Sequence, residues 1–136
     1  MAILVPIAPG RLHERVLDVA IRLGDGLDEP LCVVHFVETG TTRSRIHILR
    51  DRLRKRLADE PVRATVAVES IASTRAKRRS RVGHVLLEMA GDVGASHVVM
   101  GHSAKGLLED IKHGSTALVV VENAEVPVTV VPDTDE

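Results

Sequence analysis

Small and hydroxyl-bearing residues follow an apolar run in the C-terminal third of the chain. The run 98–100 leads into Gly101-His102-Ser103-Ala104, and Gly114-Ser115-Thr116 follows ten residues later, ahead of helix-forming residues. A helix N-terminus carries free N–H groups and a partial positive charge that suit phosphate, and Ser or Thr hydroxyls there add donors and can cap the helix. No lysine stands at the GxxxxGK[ST] spacing of the P-loop. The pattern therefore predicts a phosphate-binding turn of another type.

The sequence contains no recognisable catalytic arrangement, since no Ser-His-Asp order and no GxSxG turn after a strand is present. Four histidines lie in or near the proposed turn without metal-ligand spacing, and we expect surface or loop positions for them; they are His84, His97, His102 and His113. Glu109 and Asp110 could help to hold a Mg²⁺ ion that bridges phosphates, or could form an exposed acidic turn. We expect capture of a ligand without turnover, with at most weak ATP hydrolysis.

Length and composition favour a single domain over residues 1–136 in the cytoplasm. Cys32 is the only cysteine, which excludes a disulfide framework and fits a reducing compartment. The 18 basic and 19 acidic residues nearly balance, and Phe36 is the only aromatic residue, so we expect no nucleic-acid partner. No long apolar stretch predicts a membrane span, and no basic segment precedes the opening apolar run as in a signal peptide.

Short apolar runs alternate with helical patterns along the chain. The predicted strands cover residues 3–7, 31–37, 62–68, 96–101 and 126–131. The predicted helices are one that follows Gly10 and ends at Gly24-Asp25-Gly26, and three over residues 43–58, 82–93 and 115–124. This order predicts an α/β fold, an open five-stranded and mainly parallel sheet with helices on both faces. Ligands of such sheets bind beyond the carboxyl ends of the strands where the strand order reverses, so the turns after the first and fourth strands are candidate site walls.

Four segments of the chain resemble the universal stress protein (UspA-like) family, in the family's order and over essentially the whole length. Residues 3–6 are similar to its opening strand, 33–37 to its second strand and 126–131 to its last strand. Met100-Gly101-x2-Ala104-x9-Gly114-Ser115 is similar to its G-x2-G-x9-G-[ST] signature. The resemblance implies the universal stress protein type of the adenine-nucleotide α-hydrolase-like fold.

The resemblance also implies a function and a set of site residues. Some members of the family bind an adenine nucleotide, and the resemblance implies such binding here in a regulatory stress-response role. The implied ligand is ATP, ADP or AMP, with Mg²⁺ as a candidate companion. The implied phosphate-binding residues are Gly101, Ser103, Ala104, Gly114, Ser115 and Thr116, with His102 and Lys105 close to the phosphates. The implied adenine and ribose contacts are Pro6, Ile7, Ala8, Phe36 and Met100. The resemblance further implies a homodimer through the last strand, from Val126 to Val131.

Two residues depart from the family pattern. Ala8 stands where the family often has an acidic residue, which removes a hydrogen-bond acceptor for the nucleoside. Ala104 replaces the second glycine of the signature, and its methyl group costs on the order of 1 kcal/mol if that position needs a positive φ. Gly106, two residues later, is the nearest residue that could supply flexibility there.

Three questions stay open at this stage. The chain could be a homodimer of the same fold that binds no nucleotide and acts through protein contacts. It could also be an ATP-hydrolysing or adenylyl-transferring enzyme, but residues 8–13 do not contain the SGGxDS or HxGH type of motif that such an enzyme would need. The basic run from Arg75 to Arg81 is a solvated loop, a collar that attracts nucleotides, or a contact for a partner.

Overall fold

Strands and helices alternate through residues 1–7, 12–71, 75–102 and 116–132, which the computed structural model describes. The strands are β1 (Ala2–Ile7), β2 (Leu31–Glu38), β3 (Ala64–Ile71), β4 (Ala95–His102) and β5 (Val128–Pro132). The helices are α1 (Leu12–Leu27), α2 (Arg43–Ala58), α3 (Arg75–Asp92) and α4 (Thr116–Asn123). The predicted order of elements is confirmed. No helix within these ranges is long and apolar enough to cross a membrane.

The five strands form one parallel sheet in the order β3-β2-β1-β4-β5. The chain builds outward from β1 to the edge strand β3, then returns to the other side of β1 with β4 and ends at the opposite edge with β5. The strand order therefore reverses between β1 and β4. This confirms the predicted open parallel sheet and locates its switch point at the two strands that were expected to border the site.

Helices cover both faces of the sheet, and each face has its own apolar core. On one face, α1 contributes the buried residues Val16, Leu17, Ala20 and Ile21, and α2 contributes Leu53 and Leu57. On the other face, Leu86 of α3 and Val120 of α4 pack on Leu4 and Val98. Strands buried on both faces need continuous runs of Val, Ile and Leu, which is why β1 and β2 are apolar at almost every position.

The predicted end of α1 at Gly24-Asp25-Gly26 is close to the observed one, since the helix continues one residue further, to Leu27. It stops at Asp28, which adopts a φ of 55°. Gly24 is instead a point of close packing: a Cβ atom there would lie 2.9 Å from the carbonyl oxygen of Glu29 and 2.9 Å from Cγ2 of Val62. The glycine therefore lets the end of α1 approach the chain that leads into β2 and β3.

The basic run from Arg75 to Arg81 belongs to α3, which begins at Arg75 and not at residue 82. Its interpretation as a loop between β3 and a later helix is wrong. Ala76 is the only apolar residue of the run and cannot mark a helical period by itself, yet Arg, Lys and Ala are good helix formers. The start of this helix is therefore indicated by the intrinsic helix propensity of its residues and not by an amphipathic pattern.

Candidate functional site

The central strands β1 and β4 stop pairing well before their carboxyl ends. Their register pairs Ala2 with Ala95, Ile3 with His97 and Leu4 with Val98, and no later residues of the two strands pair. On its other side, β1 remains paired with β2 as far as Ile7 and His35. The switch point is therefore an opening between the carboxyl halves of β1 and β4, which we call the switch-point crevice.

Pro6 explains where the crevice begins. The N–H of Ile3 donates to the carbonyl of Pro30, at 2.9 Å, so the odd-numbered N–H groups of β1 point toward β2. The even-numbered groups consequently point toward β4, and position 6 is the next one after Leu4. Because proline has no N–H, β1 cannot donate to β4 at this level.

The residues expected to contact adenine are divided between the two faces of the sheet. Phe36 and Met100 belong to the same buried cluster as Ala117 of α4, on the α3/α4 face. Ile7 belongs to the cluster on the opposite face, beneath α1 and α2. Pro6 follows the alternation of Leu4 and is placed on the α3/α4 face. The structure thus groups Pro6, Phe36 and Met100 and separates Ile7 from them.

The carboxyl end of β4 supplies the residues nearest to the predicted phosphate turn. Gly101 and His102 are half-buried and pair with Val131 and Pro132 of β5. α4 spans Thr116–Asn123, and its predicted first residue, 115, lies outside the described residues. Several predicted positions lie outside the described residues: Ala8, Ser103, Ala104, Lys105, Glu109, Asp110, His113, Gly114 and Ser115.

Surface or loop positions were expected for four histidines, of which the structure describes His84, His97 and His102. The expectation holds for one of these three. His84 is exposed on α3, whereas His97 and His102 are half-buried residues of β4. A ring nitrogen of His97, Nε2, lies 2.7 Å from Oγ1 of Thr129 on the neighbouring strand, which satisfies the imidazole inside the sheet. Among the described residues, no cluster of three or more His, Cys, Asp or Glu side chains could hold a metal ion.

Two further histidines, which the sequence patterns did not single out, meet near the carboxyl ends of β1 and β2. His35 of β2 is 4% exposed and is the only buried polar residue in the described part of the chain. His13 lies in the first turn of α1. The Nδ1 atoms of His35 and His13 are both buried, and neither has a hydrogen-bond partner among the described residues. Such atoms are uncommon, because a buried nitrogen without a partner costs about 1–3 kcal/mol.

The surroundings of His35 disfavour its charged form. Burial lowers the pKa of His35 below its ordinary value, and the charges of His13 and Arg45 lower it further, against a smaller opposing effect of the Phe36 backbone. On the outer side, Nε2 of His13 lies 3.5 Å from a carboxylate oxygen of Glu14. Burial and the two basic neighbours therefore act in the same direction and favour the neutral form of His35.

An open parallel sheet with helices on both faces and a crevice at its switch point defines a doubly wound α/β protein, a class whose ligands bind at the carboxyl ends of the central strands. The model of the universal stress protein family matches residues 1–132. The chain therefore belongs to the universal stress protein family, as its motifs predict. None of the curated proteins with which the sequence was compared matches it.

Solved structures of the family share this fold. A universal stress protein from Archaeoglobus fulgidus DSM 4304 superposes with a TM-score of 0.71 at 21% identity over 98% of this chain, which spans 44% of that protein's length. A universal stress protein from Archaeoglobus fulgidus in complex with dAMP gives 0.66 at 22% identity, over 96% of each chain. A universal stress protein in complex with cAMP gives 0.69 at 16% identity, over 96% of this chain and 97% of the other.

Proposed function

We propose that this protein captures an adenine nucleotide at the switch-point crevice and serves a regulatory role without turning the nucleotide over. One observation carries the proposal: the pairing of β1 with β4 ends at Leu4 and Val98, where the strand order reverses. Open parallel sheets bind their ligands at this place because two neighbouring loops diverge there. Pro6 keeps the crevice open by removing the next hydrogen-bond donor.

The ligand class follows from the family and from the elements around the crevice. Two similar structures are complexes, one with dAMP and one with cAMP, so adenine nucleotides are the ligands to test first. The N-terminus of α4, at Thr116, follows the glycine and serine of the signature, and a helix N-terminus favours phosphate. We place the phosphates at this turn, with Glu109 and Asp110 as candidate partners of a Mg²⁺ ion.

The residues around the crevice suggest how the rest of the nucleotide would be held. Phe36 and Met100 offer apolar contacts to the base on the α3/α4 face. Gly101 has no side chain, which allows close approach of a ligand to the backbone of β4. Because Ala8 offers no carboxylate to accept a hydrogen bond from the nucleoside, backbone groups at the ends of β1 and β2 would provide its hydrogen bonds.

Mass spectrometry of nucleotides released on denaturation, followed by calorimetric titration of ATP, ADP and AMP with and without Mg²⁺, tests the proposal. We expect one adenine nucleotide per chain and at least a tenfold loss of affinity in Gly114→Leu. Gly91→Leu is the matched control, since a side chain at Gly91 on α3 would meet open space. A protein that releases no nucleotide and ignores all three at millimolar concentration would refute nucleotide capture.

We also propose that the chain forms a homodimer through β5. This strand is an edge of the sheet, and Val130 on it is 38% exposed, while Val121 on the adjacent helix α4 is 52% exposed. Exposed apolar edges favour pairing with a second chain. Light scattering should show a dimer that Val130→Lys dissociates, whereas Ile48→Lys, at an equally apolar and 44% exposed position on α2, should leave it intact. A monomeric wild type would contradict the proposal.

A further inference from the structure

Helix α2 concentrates positive charge in a chain that has almost none overall. Its 16 residues include seven arginine or lysine side chains and a single carboxylate, Asp51. The formal net charge of the whole chain is −1, so the residues outside α2 carry a net charge of −7. Positive charge is therefore concentrated on α2, as it also is in the basic run from Arg75 to Arg81, and α2 presents a local positive field that the net charge conceals.

Part of this charge forms a straight line along one flank of the helix. Arg43, Arg50 and Arg54 supply this charge, and His47 lies between Arg43 and Arg50 on the same flank. The four residues are spaced by four, three and four positions, which keeps them within about 60° around the helix axis and spreads them over about 16 Å. All are exposed except Arg50, which is half-buried. We call this set the cationic stripe. None of its members forms an ion pair with a described carboxylate.

The opposite flank of α2 differs because it meets the carboxylates of α1. There Arg56 donates to Glu14 at 3.2 Å and to Asp18 at 3.1 Å, and it also binds Glu60 at 2.6 Å. These carboxylates offset the positive potential on that side. The remaining cations of α2 lie away from the stripe; they are Arg45, Arg52 and Lys55. Because they carry the same charge as the three arginines of the stripe, substitutions of these residues serve as a control.

The stripe continues onto the edge of the sheet. Arg54 and Arg63 both line a groove of about 620 Å³ beside the start of β3, together with Glu60 and mainly apolar residues. Glu60 is already held by Arg56, so it does not neutralise the stripe. The cationic surface therefore extends from the N-terminus of α2 to the edge strand β3.

We propose that the cationic stripe docks on the phosphodiester backbone of duplex nucleic acid without reading its sequence. Arginine predominates over lysine on α2, and the guanidinium group matches phosphate with paired hydrogen bonds. A spacing of about one helical turn between cations suits a regular linear polyanion.

Other anionic partners fit the stripe less well. The core of a protein interface is depleted of charge and rich in apolar and aromatic groups, but the stripe itself contains none. A helix that lies in a membrane surface must turn its apolar face to the lipid, whereas Leu53 and Leu57 of α2 are buried in the core of this protein.

The sequence predicted no nucleic-acid partner, because the charges of the whole chain nearly balance and aromatic residues are almost absent. Neither the charge balance nor the scarcity of aromatic residues argues against binding at the cationic stripe. Balance across the whole chain does not describe the field at α2, where positive charge is concentrated. Aromatic platforms stack the unpaired bases of single strands, while a duplex is held through its phosphates. The stripe lies on the flank of α2 away from α1 and contains none of the residues assigned to the nucleotide, so duplex binding does not depend on nucleotide capture.

Fluorescence anisotropy with a labelled 20-base-pair duplex, over a series of KCl concentrations, tests this proposal on the full chain. With about four phosphate contacts, from the three arginines of the stripe and Arg63, the slope of log K against log[KCl] should be roughly −3.6. Arg43→Gln/Arg50→Gln/Arg54→Gln should weaken binding at least tenfold and reduce the slope by about three units, because each phosphate-binding cation contributes about one. Arg45→Gln/Arg52→Gln/Lys55→Gln removes the same charge from the same helix and should change affinity less than threefold.

Three results would overturn the proposal: no binding of the duplex at low salt, equal losses in the two triple variants, or tighter binding of poly-glutamate or of anionic lipid vesicles than of the duplex. Equal losses would mean a general attraction by the charge of α2, without a defined surface. Circular dichroism and urea unfolding of both variants establish that each is folded before its affinity is compared.

Discussion

The amino and carboxyl ends of the sheet differ in how completely their polar groups are paired. At the amino ends of the strands, the Ser96 hydroxyl donates to Glu29 at 2.6 Å, and the N–H of Glu29 donates to the carbonyl of Gly24 at 3.0 Å. These contacts join the start of β4 and the end of α1 to the chain that enters β2. The amino end is closed by paired groups and by close packing at Gly24.

At the carboxyl ends, the pairing of β1 with β4 has already stopped, and the Nδ1 atoms of His13 and His35 are buried without partners among the described residues. The cost of such atoms is tolerated because the amino end and the two apolar cores supply the stability of the fold. The comparison indicates that polar groups are paired at the amino end of the sheet and less completely paired at the carboxyl end.

The largest effect is expected from Gly24→Ala, which should lower the free energy of unfolding by about 1–3 kcal/mol, as overpacking typically does. The added methyl group would press on the Glu29 carbonyl and on Val62, each 2.9 Å away. Gly26→Ala is the matched control: no atom lies within 4 Å of a Cβ atom there, so the substitution should raise helix stability by about 0.5–1 kcal/mol. Urea unfolding curves of the two variants provide the measurement.

Opposite signs for these two substitutions are the decisive outcome, since both place alanine in the same helix two residues apart. If Gly24→Ala were as stable as the wild type, the close approach of α1 to β2 and β3 would not be needed, and the amino end would not be the more tightly packed one.

The second prediction concerns the unfolding free energy of the protein between pH 7 and pH 5. Burial lowers the pKa of His35 in the folded state, whereas in the unfolded chain His35 keeps its ordinary pKa of 6.5. Below pH 6.5 the imidazole of His35 is therefore protonated more readily in the unfolded chain than in the folded protein. Stability is therefore complete above that pH and falls as the pH decreases, by about 1.4 kcal/mol for each unit of pKa difference traversed. His35→Leu should reduce this pH dependence, while its stability at pH 7 changes by about 1 kcal/mol or less.

His84→Leu serves as the control for His35→Leu, because His84 is exposed on α3 and should leave the pH dependence unchanged. Urea unfolding at several pH values separates the two variants. If His35→Leu kept the full loss of stability toward pH 5, another group would be responsible, and the carboxyl end would not be the acid-sensitive one.

The fold was predictable from the sequence because its determinants are local. Apolar runs mark the buried strands, and Leu53 and Leu57 keep the helical period that places α2 on the core. Glycine was less informative: Gly24 serves close packing inside α1, and a sequence does not distinguish this role from that of a helix terminator. The early start of α3 was missed because the basic run at its N-terminus has no apolar period.

The site was predictable only in outline. Strand order places β1 beside β4, and the signature after β4 indicates which turn would hold phosphate. The environment of His35 was not predictable, because it depends on His13 and Arg45, which are distant in sequence and meet only when α1 and α2 pack on β2. The division of Ile7 from Phe36 and Met100 follows from strand register, which a single sequence does not fix.

The smallest effect is expected at Arg56, which links α1 to α2 through Glu14 and Asp18. Burial disfavours the charge of Arg56, but its hydrogen bonds to Glu60 and Glu14 outweigh this effect and raise its pKa. Since the side chain is 30% exposed, solvent screens these pairs, and Arg56→Gln should cost only about 0.5–1 kcal/mol. The loss should shrink in 1 M salt, where charges are screened within about 3 Å.

Arg52→Gln is the matched control for Arg56→Gln, because Arg52 is exposed on the same helix and forms no ion pair with a described carboxylate. Urea unfolding at low and high salt should find a difference between the two variants only at low salt. A loss above 2 kcal/mol at Arg56 would show that Glu14, which also lies beside His13, couples this ion pair to the carboxyl end of the sheet. The amino and carboxyl ends of the sheet would then not be energetically independent, and α2 would contribute to the stability of both.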